Sequence, residues 1–198
     1  SKIMYTGFQF GNYFRIDKNF GTTSRITPKH KLGERPYRWN WQTPILLSSH
    51  NSDILYMGSN FLHRSMNQGR KFEIILPDLT KGNTQGDVPF GTITTISESK
   101  LKFGLLYTGS DDGEVYVSKD GGDNWNKINE GIPQDKYVSK ILASTHVKQK
   151  VYLCLNNYRR DDFESMLYVS ENYGANWKRI GMNLPAEPLN VVCEDPEH

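Results

Sequence analysis

SKDGGDNW, Ser118–Trp125, and SENYGANW, Ser170–Trp177, are two copies of one phrase, Ser-x-Asp/Asn-x-Gly-x-x-Trp. A weaker copy, SMNQGRKF, runs from Ser65 to Phe72, and a worn one, DKNFGTTS, from Asp17 to Ser24. Their first positions lie 48, 53 and 52 residues apart. A period near fifty marks a repeat architecture. Each position has a physical task. The short side chains of Asn67, Asp120 and Asn172 can accept backbone N–H groups further along and close an Asx-type turn. Gly69, Gly122 and Gly174 can take positive φ. Phe72, Trp125 and Trp177 offer large apolar faces to the sheet beneath, and Ser65, Ser118 and Ser170 bond within the same turn. The phrase describes a hairpin that fastens itself, so its Asp is expected to be a turn staple rather than a catalytic acid.

The rest of the period agrees. A β-rich run ending in Tyr precedes each phrase (IMYTG, ILYMG, LLYTG, VYLC), with Tyr5, Tyr56, Tyr107 and Tyr152 spaced 51, 51 and 45 apart. A second strand leads into the phrase (NYFRI, FLHR, EVYV, MLYV) and another leaves it (KFEIIL, NWNKI, NWKRI). One more precedes the Tyr run (TPILLSS, GTITTISES, SKILAS). A complete period is four short strands joined by turn chemistry, and no stretch holds a helical period. Such units in series predict an all-β chain, a β-propeller of four-stranded antiparallel blades that stack because a lone blade cannot bury both faces. The expected divisions are a partial blade over 1–28, blades over 43–80, 91–133 and 138–185, and the first strand of a further blade at 189–193. Two arrangements fit the ends: Leu189–Cys193 pairs beside Ile3–Gly7 and closes a small ring, or the chain is an arc of a larger propeller. The arc is the favoured expectation.

Both copies of the phrase resemble the Asp-box, or BNR, repeat of sialidases, sortilin-type receptors and xyloglucanase-like hydrolases. The longer run from Tyr37 through YVSKILAS resembles bacterial BNR-repeat glycosyl hydrolases with a sortilin-like propeller. The resemblance implies a secreted or periplasmic protein with either a glycan- or protein-binding scaffold role or glycoside hydrolase activity. It also places the substrate cleft at the end of the blades away from the Asp boxes. No arginine-bearing signature of sialidases precedes the first blade. The Asp box specifies a fold more than a function.

Composition bounds the rest. At 198 residues the length is that of one domain. A formal charge of +2 implies no bulk attraction to nucleic acid. No apolar run approaches membrane-spanning length, so membrane insertion is not expected. The five histidines lack metal-ligand spacing, and there is no phosphate-binding or dinucleotide motif, so neither a metal nor a cofactor is expected. His50 and His146 follow equivalent strands and read as repeat-borne turn groups. Cys154 and Cys193, both in predicted strands, read as buried free thiols unless the fold makes them neighbours.

Four segments are expected to converge at the end opposite the fastened hairpins. The crossover Lys29–Gln42 carries Tyr37, Arg38, Trp39 and Trp41. Its alternating aromatics form either a platform for sugar or packing against the next blade. GSDDGE, Gly109–Glu114, brings Asp111 and Asp112, as tight-turn residues or as acids. NNYRRDDFES, Asn156–Ser165, brings Arg159, Arg160, Asp161 and Asp162, as a carboxylate-binding rim or a self-paired loop tip. The crossover Asp78–Phe90 is the fourth. A hydrolase would need two facing carboxyl groups, and the candidates are Asp111 or Asp112 on one blade with Asp161 or Asp162 on the next.

Overall fold

The computed structural model describes residues 2–82 and 90–197. Its strands fall into four antiparallel sheets in chain order. The first contains β1 (Ile3–Phe8), β2 (Asn12–Asp17) and β3 (Thr22–Arg25). The second contains β4 (Ile45–Leu47), β5 (Leu55–Gly58), β6 (Leu62–Ser65) and β7 (Glu73–Leu76). The third contains β8 (Ile93–Glu98), β9 (Leu106–Ser110), β10 (Val115–Ser118) and β11 (Asn126–Lys127). The fourth contains β12 (Tyr137–Ala143), β13 (Val151–Asn157), β14 (Asp162–Ser170) and β15 (Lys178–Ile180). Every strand pairs with its sequence neighbour, and no ladder joins one sheet to another among the described residues. The sheets are blades of an open β-propeller, stacked face to face.

Strand alternation explains the stacking. Side chains point to opposite faces with a period of two, so Leu55 and Met57 join Ile26 in the core between the first and second blades. Tyr56 and Leu62 turn the other way and meet Ile93, Ile96 and Leu106 between the second and third. Leu105, Tyr107, Val115 and Val117 meet Val138, Ile141, Leu153 and Leu155 between the third and fourth. Three interface cores replace one centre. The first is the smallest, and β3 is exposed along its length.

The fastened hairpins link β6 to β7, β10 to β11 and β14 to β15, all at one end of the blades. In the third blade the Ser118 hydroxyl donates to Asp120 Oδ1 at 2.8 Å and accepts the Gly122 N–H at 2.8 Å. Asp120 Oδ1 also accepts the Asn124 N–H at 3.0 Å. Ser170 and Asn172 repeat these bonds with Gly174 and Asn176, as do Ser65 and Asn67 with Gly69 and Lys71. In the worn copy, Asp17 Oδ1 keeps the Asn19 N–H at 3.0 Å, while its other oxygen pairs with the buried Arg15.

Each hairpin is also a peg in the preceding blade. A Cβ on Gly174 would lie 2.4 Å from Ile128 Cδ1, and one on Gly122 would lie 2.9 Å from Ile75 Cβ. Both glycines have positive φ, so conformation and contact each demand the absence of a side chain. Trp125 Nε1 donates to the Ile75 carbonyl and Trp177 Nε1 to the Ile128 carbonyl, both at 2.7 Å. The indoles bond to the neighbouring blade and pack against the core between the two blades.

Residues 189–193, expected as a strand, form no ladder. They nevertheless occupy the place of a first strand. Ser139 Oγ donates to the Leu189 carbonyl as Thr94 Oγ1 does to that of Val138. Tyr152 donates to Glu194 as Tyr56 does to Glu98. His146 Nε2 meets the Asp195 carbonyl as His50 Nε2 meets that of Ser99. Side-chain bonds from the fourth blade hold this segment, and among the described residues no strand pairs with it. Cys193 is therefore exposed, contrary to the expected buried thiol, whereas Cys154 is buried and unbridged. Burial pushes the Cys154 thiol up to about 12.

Candidate functional site

At the end opposite the fastened hairpins, a cleft of about 160 Å³ opens between the third and fourth blades. Antiparallel order dictates what can reach it: the turns between second and third strands, and the crossovers between blades. Asp111 and Asp112 arrive on the β9–β10 turn. Asn156, Asn157, Arg159 and Arg160 come from the end of β13 and the short 3-10 turn after it, Tyr158–Arg160. Asp135 comes from the crossover into the fourth blade and Tyr137 opens β12, while Lys81 and Gly82 come from the crossover into the third.

Gly113 sets how closely these pieces approach. Its φ is +87°, and a Cβ there would lie 2.9 Å from the Lys136 carbonyl oxygen and 3.1 Å from the Asp135 nitrogen. Crossover and turn are in backbone contact.

The cleft carboxylates are committed to the fold. Asp111 is buried and accepts from the Thr92 N–H at 2.8 Å, the Phe90 N–H at 2.7 Å and the Thr92 hydroxyl at 2.9 Å. Asn40, from the first crossover, approaches it at 3.4 Å. Burial raises the Asp111 carboxyl above its ordinary value, against the pull of the bonds from Thr92 and Phe90. Asp112 takes the Ser110 hydroxyl and, at 2.6 Å, the Lys81 N–H. Asp135 takes the Lys81 ammonium at 2.6 Å, and that bond holds the Asp135 carboxyl below its usual range. Partial burial works against the Lys81 charge, but bonds to Asp135 and Glu114 outweigh it and raise its pKa.

The arginines are placed differently. The Arg159 guanidinium carbon lies 5.1 Å from the Tyr137 ring centre and 4.7 Å from that of Tyr158. Aromatic faces on two sides favour and orient the cation. Among the described residues neither Arg159 nor Arg160 forms an ion pair. Burial pushes the Tyr137 hydroxyl up to about 12, which keeps it a neutral donor.

Of the residues singled out in the sequence, Asp111, Asp112, Arg159 and Arg160 meet in this cleft, and Asp161 and Asp162 do not line it. Asp161 caps the 3-10 turn with φ +56° and donates its N–H to the Tyr158 carbonyl. Asp162 binds the Lys136 ammonium at 2.7 Å and Asn157 at 3.0 Å, and the bond from Lys136, the larger cause, lowers its carboxyl to about 2. Of the four carboxylates expected to face each other across two blades, Asp111 and Asp112 line the cleft. Lys81 and Gly82 belong to the crossover Asp78–Phe90 expected at this end, though neither was named by itself, and Asp135 and Tyr137 were not singled out. Lys81 and Asp135 sit in crossovers whose local sequence shows only turn punctuation, Tyr137 opens β12, and the Lys81–Asp135 bond spans 54 residues.

The aromatic crossover divides among three tasks. Tyr37 and Trp39 flank buried His63, with ring centres at 4.9 and 5.7 Å. Desolvation lowers the His63 imidazole to about 4 and so keeps it neutral at pH 7. Trp41 is 59% exposed and packs edge-on to Phe10. Arg38 clamps the next crossover through Asp78 at 2.7 Å and the carbonyls of Phe90 and Gly91. None of the four lines the cleft. In the fourth segment, Asp78–Phe90, residues 83–89 lie outside the described residues.

No protein-family model and no curated protein matches the chain. Solved structures with a similar fold include the Dos1 propeller, at 17% identity and a TM-score of 0.61 over 94% of this chain and 47% of that one. The GH74 xyloglucanase from Xanthomonas campestris is similar at 14% identity, with a TM-score of 0.55 over 91% of this chain and 36% of that one. The chain spans less than half the length of either. At these identities the likeness is one of fold.

Proposed function

We propose that the chain is a non-catalytic, ligand-binding part of an extracytoplasmic Asp-box β-propeller, taking a glycan or protein ligand in the cleft between the third and fourth blades. The observation that carries this reading is the unequal commitment of charges there. Asp111 and Asp112 are held by backbone and hydroxyl donors and Asp135 by the Lys81 ammonium, whereas Arg159 and Arg160 form no ion pair among the described residues. Such a cleft offers donors to a ligand but no free pair of carboxylates for glycosidic bond cleavage. The repeated Ser-Asp/Asn-Gly hairpin bonds support the Asp-box assignment, and location outside the cytoplasm rests on that resemblance.

One observation favours the second reading, a glycoside hydrolase. Asp111 is buried and its carboxyl is raised, as a general acid requires. Its partner would have to come from Asp112 or Asp135, since Asp161 and Asp162 lie outside the cleft. The deciding experiment combines a glycan array with a chromogenic-glycoside screen on wild type, Arg159→Ala/Arg160→Ala, Asp111→Asn and Asp112→Asn. The expected result is binding lost in the arginine variant, with no turnover by any protein. Turnover that disappears in either Asp→Asn variant would establish the hydrolase instead.

A further inference from the structure

A second site shares no lining residue with the cleft and lies in the groove between β3 of the first blade and β7 of the second. It has a volume of about 500 Å³ and is open at the surface. Five cations line it: Arg25, Lys29, Lys31, Arg70 and Lys71. All five are exposed, and among the described residues none forms an ion pair. Arg25 bonds only neutral oxygens, of Asn12 at 2.6 Å and Thr27 at 3.3 Å. The single carboxylate in the lining, Glu73, is taken by Arg64 at 2.8 Å. The walls also carry apolar side chains, Ile26, Phe72 and Ile74.

This concentration is unlike the chain as a whole, whose formal charge is +2. Like charges gathered without counter-charges repel one another, and a bound anion relieves that repulsion. Two blades and a crossover contribute the cations, so they border a groove rather than a point. We infer that this groove binds a linear anionic polysaccharide, its carboxylate or sulfate groups on the five cations and its sugar rings against the apolar wall. Apolar surface between the charges favours a sugar chain, whose ring faces are apolar, over a ligand held by charge alone. The site is independent of the cleft.

The test uses the full chain at low ionic strength, titrated calorimetrically with polygalacturonate, a chondroitin sulfate, neutral dextran and a single-stranded oligonucleotide. The first two separate carboxylate from sulfate recognition. Lys29→Ser/Lys31→Ser/Lys71→Ser removes three groove charges. Lys18→Ser/Lys100→Ser/Lys148→Ser removes the same net charge from exposed lysines elsewhere, and far-UV circular dichroism checks the fold of both. Binding of at least one anionic polysaccharide is expected to weaken roughly tenfold or more in the groove variant, the size of two or three exposed ion pairs. It is expected to weaken further with added salt and to change less than twofold in the control variant. Equal loss in groove and control variants, equal binding of dextran, tighter binding of the oligonucleotide, or no binding at all would each overturn the inference.

Discussion

At the scale of single residues, the hairpin glycines carry two constraints, and a crossover glycine, Gly131, separates them. Gly131 has φ +84° and open space where a Cβ would go, so Gly131→Ala is expected to cost only the conformational penalty, about 1–2 kcal/mol. Gly174 has φ +89° and Ile128 in the way, so Gly174→Ala is expected to cost a further ~1–3 kcal/mol of overpacking. Urea unfolding of the two variants side by side measures the difference, and equal losses would remove the peg contact from the account. Acid stability is a second residue-scale matter. Backbone and side-chain bonds from Asn124 lower Asp120 from 3.8 to about 2. A depressed carboxyl contributes stability that is complete above its unfolded value and lost as pH falls through its folded one. Asp120→Asn is therefore expected to leave stability at pH 7 nearly unchanged, as Asn67 and Asn172 already fill this position, and to flatten its decline between about pH 4 and 2. Chemical denaturation across that range is the measurement.

At the scale of the element, the Ser hydroxyl is the keystone of each hairpin. In Ser170→Ala the Gly174 N–H loses its acceptor inside the fold and Asn172 loses a donor, an expected loss of about 1–3 kcal/mol. A change below about 0.5 kcal/mol in thermal unfolding would show that the hairpin holds without it. These elements were legible because their chemistry is local: Ser, Asp or Asn, Gly and Trp sit within eight residues and bond to one another. The cleft was half legible. Asp111, Asp112, Arg159 and Arg160 announce themselves as charged turn residues in equivalent places of successive blades. Lys81 and Asp135 do not, because their meeting depends on how two crossovers lie over a turn. The alternation of Tyr37, Trp39 and Trp41 did not show that His63 would take two of the rings and Phe10 the third. The strand at 189–193 was read from its pattern alone, and pattern cannot supply the neighbour that a ladder needs.

At the scale of the whole molecule, stability is a sum over blade interfaces rather than the property of one core. The interface of the first blade is the poorest among the described residues, with Ile26, Leu55 and Met57 fully buried and Tyr5, Tyr13, Trp39, Ile45 and Phe72 partly so. Amide exchange is expected to be fastest in β1–β3 and slowest in β9 and β13, which lie among the buried side chains of the third and fourth blades. Uniform protection across all four sheets would instead show that the stack unfolds as a single cooperative body.

The peg that each hairpin drives into the blade before it redraws the natural module of this chain. Ile75 lies in β7 of the second blade and touches the hairpin of the third, and Ile128, bonded through its N–H to Val115 of the third blade, touches the hairpin of the fourth. A graft that exchanges one blade for another thus has two seams to match, the socket it inherits and the socket it leaves behind. Isoleucine and tryptophan travel as a lock and key shared between successive copies, so a duplicated unit fits its new neighbour only when both halves are carried over unchanged.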